Sequence, residues 1–240
     1  MREAVWRVLS RRGIQRDNPA SWREERPGHL QELKDDPVFW AAWGTRVIAA
    51  LHEVLEGEAW QMPSSPGAHF VAFPGGAEWN IPSSGWHIDA NYLSALAPPA
   101  GARLFALFGD VKPRSGGTLI VGGSHRLVHK WFQDHPPPSD TRGAEFRRLL
   151  QAHHYIRDLH TPGNCRERVA RFMGKVEESD GIPLQVVEHT GGAGDVTLIH
   201  PLTLHVAAPN RGSQPRFLLS GAVDTAKMWP TEPPGNGPSR

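Results

Sequence analysis

Cysteine is almost missing: Cys165 is the single thiol in 240 residues. One thiol closes no internal disulfide and builds neither a zinc knuckle nor a redox pair, so a disulfide-stapled fold and a multi-cysteine metal site are both excluded. Charge of one sign is also lacking, since 26 Lys and Arg stand against 25 Asp and Glu and leave a net charge near +1. Such a chain projects no long-range field toward a phosphate backbone or an anionic lipid surface, which sets aside nucleic acid and membranes as partners. No apolar run approaches the roughly 20 residues that cross a bilayer, and residues 1–12 lack the uninterrupted apolar stretch of a secretory signal. With its lone thiol suited to a reducing compartment, the chain reads as a cytoplasmic protein. Residues 1–12 carry Val5, Trp6 and Leu9 among arginines and read as a surface helix rather than a transit peptide.

What is present points to a globule. Hydrophobic residues make up 39% and nine Trp add large apolar area, enough for a core in a single domain over 1–226. The start, about 1–57, reads as helical: Asp36 caps, Pro37 takes the first helical position, and Trp40, Val47, Ile48, Leu51, Val54 and Leu55 recur at three- and four-residue steps until Gly57. Beyond Gly57 come short Val-, Phe-, Leu- and Ile-rich runs bounded by Gly, Pro, Asn or Ser, which predict strands at 69–73, 86–91, 103–111, 118–121, 184–189, 196–200, 203–207 and 217–223. Many short strands without intervening helices favour a sandwich or barrel over a parallel sheet. Between them, about 125–181, the pattern lapses into helices at 144–156 and 166–176, an insertion that reads as a lid or wall of a pocket. The Pro- and Gly-rich end, 227–240, reads as a flexible tail.

His87 and Asp89 stand two apart, so on an extended segment both side chains face one side and can reach one metal ion. Thirteen histidines in the chain make such a pair common by chance, and the spacing decides nothing alone. Its setting adds weight: the turn-rich Pro82-Ser83-Ser84-Gly85 precedes it, and Trp86 and Ile88 flank it. A second imidazole comes from far along the chain, from His205 or its competitor His200, with His205 favoured because His200 faces the other way in an unbroken strand. Two imidazoles and one carboxylate leave positions free on a metal, the set that Fe(II) oxygenases use for cosubstrate and O₂, whereas zinc favours a four-coordinate shell. After the turn signal 210–215, Arg216 opens an apolar strand and calls for an anion such as a carboxylate. Asn91, Arg103, His125, Trp131 and Asn210 are softer candidates for lining or bracing a pocket. His153, His154 and His160 read as a solvated helix face, and Asp110 and Asp195 as turn formers.

Taken in order, Trp86-His87-Ile88-Asp89, the run from Ser115-Gly116-Gly117-Thr118 to Gly122-Gly123-Ser124-His125, and Gly194-Asp195 through His205 to Arg216 resemble the phytanoyl-CoA dioxygenase family. The resemblance covers about 68–224 and implies a mainly β fold with flanking helices, a double-stranded β-helix or jelly roll of the cupin type. It further implies Fe(II) held by His87, Asp89 and His205, with 2-oxoglutarate on Arg216 and O₂ as co-reactant. The chain departs from the family pattern at Thr118 and Gly122, where proline is frequent. Thr118 can offer its hydroxyl to the cosubstrate or serve as a plain strand residue. Relatives that chlorinate lack the metal carboxylate, so Asp89 favours hydroxylation or oxidative ring closure of a small-molecule substrate. The Ala, Gly, Pro and Arg bias is similar to that of bacterial oxygenases tailoring secondary metabolites, oligosaccharide antibiotics among them. Trp79, Trp86 and Trp131 suit sugar stacking, although core packing is their default. Two rivals stay open: a cupin-like binding protein with a structural metal or none, and a zinc-dependent hydrolase or isomerase. The oligomeric state is not encoded in any of these signals.

Overall fold

The computed structural model of the chain describes residues 1–28, 30–75, 78–89, 101–136 and 143–225; Asn91 and the tail 227–240 lie outside them. Eight strands are found among these residues: β1 (Ala68–Ala72), β2 (Gly101–Leu107), β3 (Thr118–Gly122), β4 (Glu177–Ser179), β5 (Ile182–Glu188), β6 (Val196–Ile199), β7 (His205–Ala207) and β8 (Arg216–Asp224). They form two four-stranded sheets, β1-β8-β2-β6 and β4-β5-β3-β7, antiparallel at every pairing. This is a mainly β jelly roll with flanking helices, as the family resemblance implies. No helix among the described residues is long and apolar enough to cross a membrane.

Alternation along β8 fixes which side chains face inward. Phe217, Leu219 and Val223 pack outward under the N-terminal layer, while Arg216, Leu218 and Ser220 line a cavity on the opposite face. The register is held on both flanks, with Leu219 opposite His69 on one side and Ala106 on the other. A slip of one residue would turn Arg216 into the apolar layer and Phe217 into the cavity.

The outer face of the first sheet is covered by α1 (Arg2–Arg11), which buries Ala4, Val5, Trp6, Val8 and Leu9. Trp6 meets Phe217 edge-on at 5.6 Å and Phe73 at 6.1 Å, so the helix read as a surface element is instead half of a core. The continuous helix expected from Asp36 to Gly57 is broken. Pro37–Trp43 is a 3-10 helix capped by Asp36, whose carboxylate accepts from the Val38 amide at 3.0 Å. Gly44 then turns extended, with ψ 170°, before α2 (Thr45–Val54) begins. Apolar spacing carried the expectation across Gly44, which takes the extended backbone of a helix N-cap and so starts a second helix rather than continuing the first.

The second sheet is covered by α3 (Ser124–Asp134), α4 (Gly143–Leu150), α5 (His154–Leu159) and α6 (Cys165–Phe172). Leu127, Val128, Phe132, Tyr155, Ile156 and Phe172 pack with Leu119, Val121, Leu184 and Val186 of the strands. The described residues of 125–181 therefore pad the outside of the sheet, and none lines the cavity just described. The predicted 144–156 helix is two helices, parted at 151–153. The short polar strand β4, absent from the sequence expectations, pairs with β5 across Asp180 and Gly181, both at positive φ. Of the expected strand at 86–91, the described residues 86–89 form only a bridge at His87.

Candidate active site

His87 and His205 lie opposite each other and exchange both main-chain hydrogen bonds, at 3.1 and 3.0 Å. Residues paired in this way carry their side chains on one face; their rings stand 4.3 Å apart. The Asp89 amide donates to the Pro201 carbonyl at 3.1 Å, which places its carboxylate between the rings. Oδ1 lies 3.6 Å from His87 Nε2, and Oδ2 lies 3.5 Å from His205 Nε2. One donor atom from each residue falls within 4.8 Å of the others, close enough to hold one metal ion.

Backbone carbonyls choose the nitrogen that each ring presents. His87 Nδ1 faces the Gly85 carbonyl at 2.8 Å, and His205 Nδ1 faces the Thr203 carbonyl at 3.0 Å. A carbonyl only accepts, so Nδ1 carries the hydrogen and Nε2 keeps its lone pair for a metal. The competitor His200 is arranged the other way, because its Nδ1 accepts from the Leu202 amide at 3.1 Å. Its Nε2 then bears the hydrogen and cannot ligate, so local hydrogen bonding separates the two candidates where strand parity could not. Burial lowers the proton affinity of His205, against the opposing pull of the Asp89 carboxylate, and Phe105 closes on its ring at 5.3 Å.

Arg216, at the start of β8, is the most telling residue of the site. Its Nε donates to the Gly116 carbonyl at 2.7 Å, while Nη1 is buried and meets no hydrogen-bond partner among the described residues. Burial first, and the neighbouring Arg26 second, lower its pKa to about 10. A buried guanidinium without an anion is costly to maintain. Asn210 holds the preceding turn in place: its Nδ2 donates to the carbonyls of Ala72 and Gln214 at 2.8 and 2.9 Å, and its Oδ1 accepts from Gly212 at 2.9 Å.

A cavity of about 340 Å³ is lined by His87, Asp89, His205, Thr118, Arg216 and Arg26, among others. The donor set suits a ferrous ion with open positions, and the unpaired guanidinium suits a dicarboxylate in the same cavity, so the residues present fit the pair of Fe(II) and 2-oxoglutarate.

Other candidates fall elsewhere. Arg103 is a brace, bonded to Asp224 Oδ1 at 2.8 Å and to the Asp89 carbonyl at 2.6 Å. His125 packs on His200 at 5.2 Å. Trp131 donates to Leu149 and stacks on His135, and Trp79 and Trp86 are core residues, so neither core indole is free to stack on a sugar. His153 corrects its solvated reading: it is buried, with Nε2 2.9 Å from Asp180 Oδ2. His154 contacts Ser179, and His160 caps back to the Ile156 carbonyl. Asp195 and Asp110 do shape a turn, accepting from the Gly192 and Ala193 amides. Sequence reasoning missed Arg26, which donates to the Ala207 carbonyl at 2.9 Å, and His69, which lines the cavity from β1. Arg26 sits in a charged run with no distinguishing signal, and His69 looks like any polar residue of an edge strand.

A jelly roll that gathers two imidazoles, a carboxylate and a buried unpaired guanidinium around one cavity has the makings of a non-haem iron, 2-oxo-acid-dependent oxygenase. Residues 29–218 match the phytanoyl-CoA dioxygenase (PhyH) family, and the chain belongs to that family. It is an enzyme, a non-haem dioxygenase working with Fe(II), 2-oxoglutarate and O₂. No curated protein matches the chain. Among solved structures, the non-haem α-ketoglutarate-dependent carbocyclase SnoK from nogalamycin biosynthesis is 16% identical, with 94% of this chain and 73% of that one covered and a TM-score of 0.53. The epimerase SnoN from the same biosynthesis is 16% identical over 99% and 80%, TM-score 0.48. AviO1 from Streptomyces viridochromogenes Tue57 is 17% identical over 97% and 83%, TM-score 0.46. The likeness to SnoK is one of fold.

Proposed function

We propose that His87, Asp89 and His205 bind the Fe(II), that Arg216 receives the far carboxylate of 2-oxoglutarate with Thr118 beside it, and that the enzyme hydroxylates or oxidatively cyclises a small organic molecule. The context we infer is bacterial secondary metabolism, in the making of an antibiotic. The observation that carries the site assignment is the shared cavity, in which a buried guanidinium without an anion lines the same space as three inward-facing donors.

When bound, iron with 2-oxoglutarate and O₂ supplies the oxidation of a C–H bond, with succinate and CO₂ as co-products. The chain's own part is aim and exclusion. Carbonyls of Gly85 and Thr203 hold both rings with Nε2 inward. Arg216 offers a fixed, fully buried cation at which one end of a dicarboxylate is neutralised and oriented. Phe105 and Leu218 keep the intervening wall apolar, which limits water near the reacting centre. Asp89 supplies a carboxylate where halogen transfer would need a vacancy, which supports oxygen insertion or ring closure.

The test is anaerobic addition of Fe(II) and 2-oxoglutarate. Wild-type protein should develop the weak visible charge-transfer band of the chelate, and Asp89→Ala or His205→Ala should lose both the band and iron-dependent succinate formation. Near-normal turnover in either variant refutes the ligand assignment.

A further inference from the structure

Next to the cavity that contains the donors lies a second one of about 420 Å³. The two adjoin, since His69, Asp89 and Ser220 line both, whereas Arg216 and Thr118 line the first alone. With the first taken up by cosubstrate, the second is the space from which another molecule can reach Asp89 and the centre it serves.

Close backbone packing gives this cavity a fixed shape. Gly67, at φ +134°, passes so near β8 that a Cβ there would lie 2.3 Å from the Ser220 carbonyl oxygen. A Cβ on Gly221 would lie 2.5 Å from the Trp43 ring, and Trp43 Nε1 in turn donates to the Pro66 carbonyl at 2.9 Å. The wall is thus pinned from two sides, since a side chain at Gly67 would have to displace backbone and one at Gly221 the Trp43 ring.

The lining sets small apolar residues such as Ala68 and Ala222 among Gln31, Ser65, His69 and Ser220, a surface suited to rings that carry C–H faces and hydroxyl edges. His69 is 4% exposed, lies edge-on to Phe39 at 4.0 Å, and its Nε2 has no hydrogen-bond partner among the described residues. Burial lowers its pKa to about 4, with only Asp36 opposing. An uncharged imidazole has one donor and one acceptor, and a hydroxyl can answer either. The charges present disfavour a cation. Lys34 and Arg103 are positive, and among the described residues Asp89 is the only carboxylate in the lining. Asp89 belongs to the donor set, Arg103 is occupied by Asp224, and an ammonium entering here finds no other carboxylate in the described lining to receive it.

We propose that the second cavity is the substrate subsite, and that it selects a polyhydroxylated molecule without positive charge, a neutral glycoside in type, with His69 bonding one of its hydroxyls. This rests on the metal and cosubstrate reading of the first cavity.

Saturation-transfer NMR on the protein loaded with Ni(II) and 2-oxoglutarate tests it, with maltotriose as the neutral probe and the fully deacetylated chitosan trimer as the cationic one. Wild type should bind maltotriose and reject the chitosan trimer; His69→Phe should weaken maltotriose by about tenfold, the loss of a buried hydrogen bond. Lys34 is exposed, so Lys34→Glu keeps the fold and should admit the cationic trimer. Equal binding of both probes by wild type, binding of neither, or both variants behaving as wild type overturns the proposal. The Fe(II) and 2-oxoglutarate band of the wild type reads the first cavity separately. A normal band with failed saccharide selection sinks this inference alone, and a missing band sinks both.

Discussion

The guanidinium of Arg103 donates to the main-chain carbonyl of Asp89 at 2.6 Å while its other arm holds Asp224 at 2.8 Å. One side chain thereby ties a candidate metal ligand to the end of β8, itself 121 residues from Arg103 in sequence. Removing it frees the Asp89 carbonyl and leaves Asp224 without this partner. Arg103→Ala should weaken Ni(II) affinity by about 10- to 100-fold, the usual scale for outer groups that orient ligands. Arg103→Lys should recover part of that, since a single ammonium cannot span both acceptors. Calorimetric titration of metal reads this directly, and unchanged affinity in Arg103→Ala would count against any orienting role.

Arg216 sets function against stability. Replacing it with Met removes a buried charge that has no anion, so the metal-free protein should keep its stability within about 1 kcal/mol or gain some. Affinity for 2-oxoglutarate should fall by about a hundredfold or more, because the far carboxylate then enters an apolar pocket unpaired. Thermal melts with and without 2-oxoglutarate distinguish the outcomes: ligand should raise the wild-type midpoint and leave that of Arg216→Met unmoved. Equal stabilisation of both proteins would show that the anion site lies elsewhere.

Acid should loosen the fold through His69. Its folded-state pKa of about 4 lies below the ordinary imidazole value of about 6.5, so between those values the unfolded chain binds more protons than the folded one. Stability is therefore full above pH ~6.5, declines as pH falls toward 4, and changes no further on this account below that. The loss is about 3 kcal/mol for a shift of this size. Urea unfolding at pH 7 and pH 4.5 should show a smaller acid penalty in His69→Gln than in wild type; parallel losses would mean that His69 is not kept uncharged by burial.

Asn210 carries more than a turn. It is fully buried and, from the turn between β7 and β8, bonds the carbonyls of Ala72 in β1 and of Gln214 and the amide of Gly212, and Gly116 packs so close that a Cβ there would lie 2.9 Å from the Asn210 Cβ. Asn210→Ala strands these groups and should cost about 3 kcal/mol. Because the same turn delivers Arg216, KM for 2-oxoglutarate should rise alongside. A large fall in stability with an unaltered KM would separate the two effects and disprove the link.

Much of this arrangement was legible before the fold was seen. The two-residue step from His87 to Asp89 needed only an extended backbone, and the turn signal before Arg216 correctly announced the head of a strand. What escaped depended on tertiary contacts. The choice between His200 and His205 lies in whether Nδ1 meets an amide or a carbonyl, which no spacing records. His69 escaped because its meaning comes from Phe39 above it and two cavities beside it. β4 is polar and three residues long, and its pairing with β5 rather than its composition makes it a strand. The break at Gly44 lay hidden because apolar residues continue at helical intervals on both sides, and what interrupts the helix is a backbone torsion.

Both sheets are upholstered on the outside, one by α1 with its aromatic partners and the other by α3 to α6. The outward-facing strand residues under these layers are therefore packed, and little in them can be rewritten without disturbing a core. Freedom is left at the rim, where the side chains of Gln31, Lys34 and Ser65 border the second cavity outside the buried core. Exchanging those side chains alone would change the guest while the vessel stays as it is.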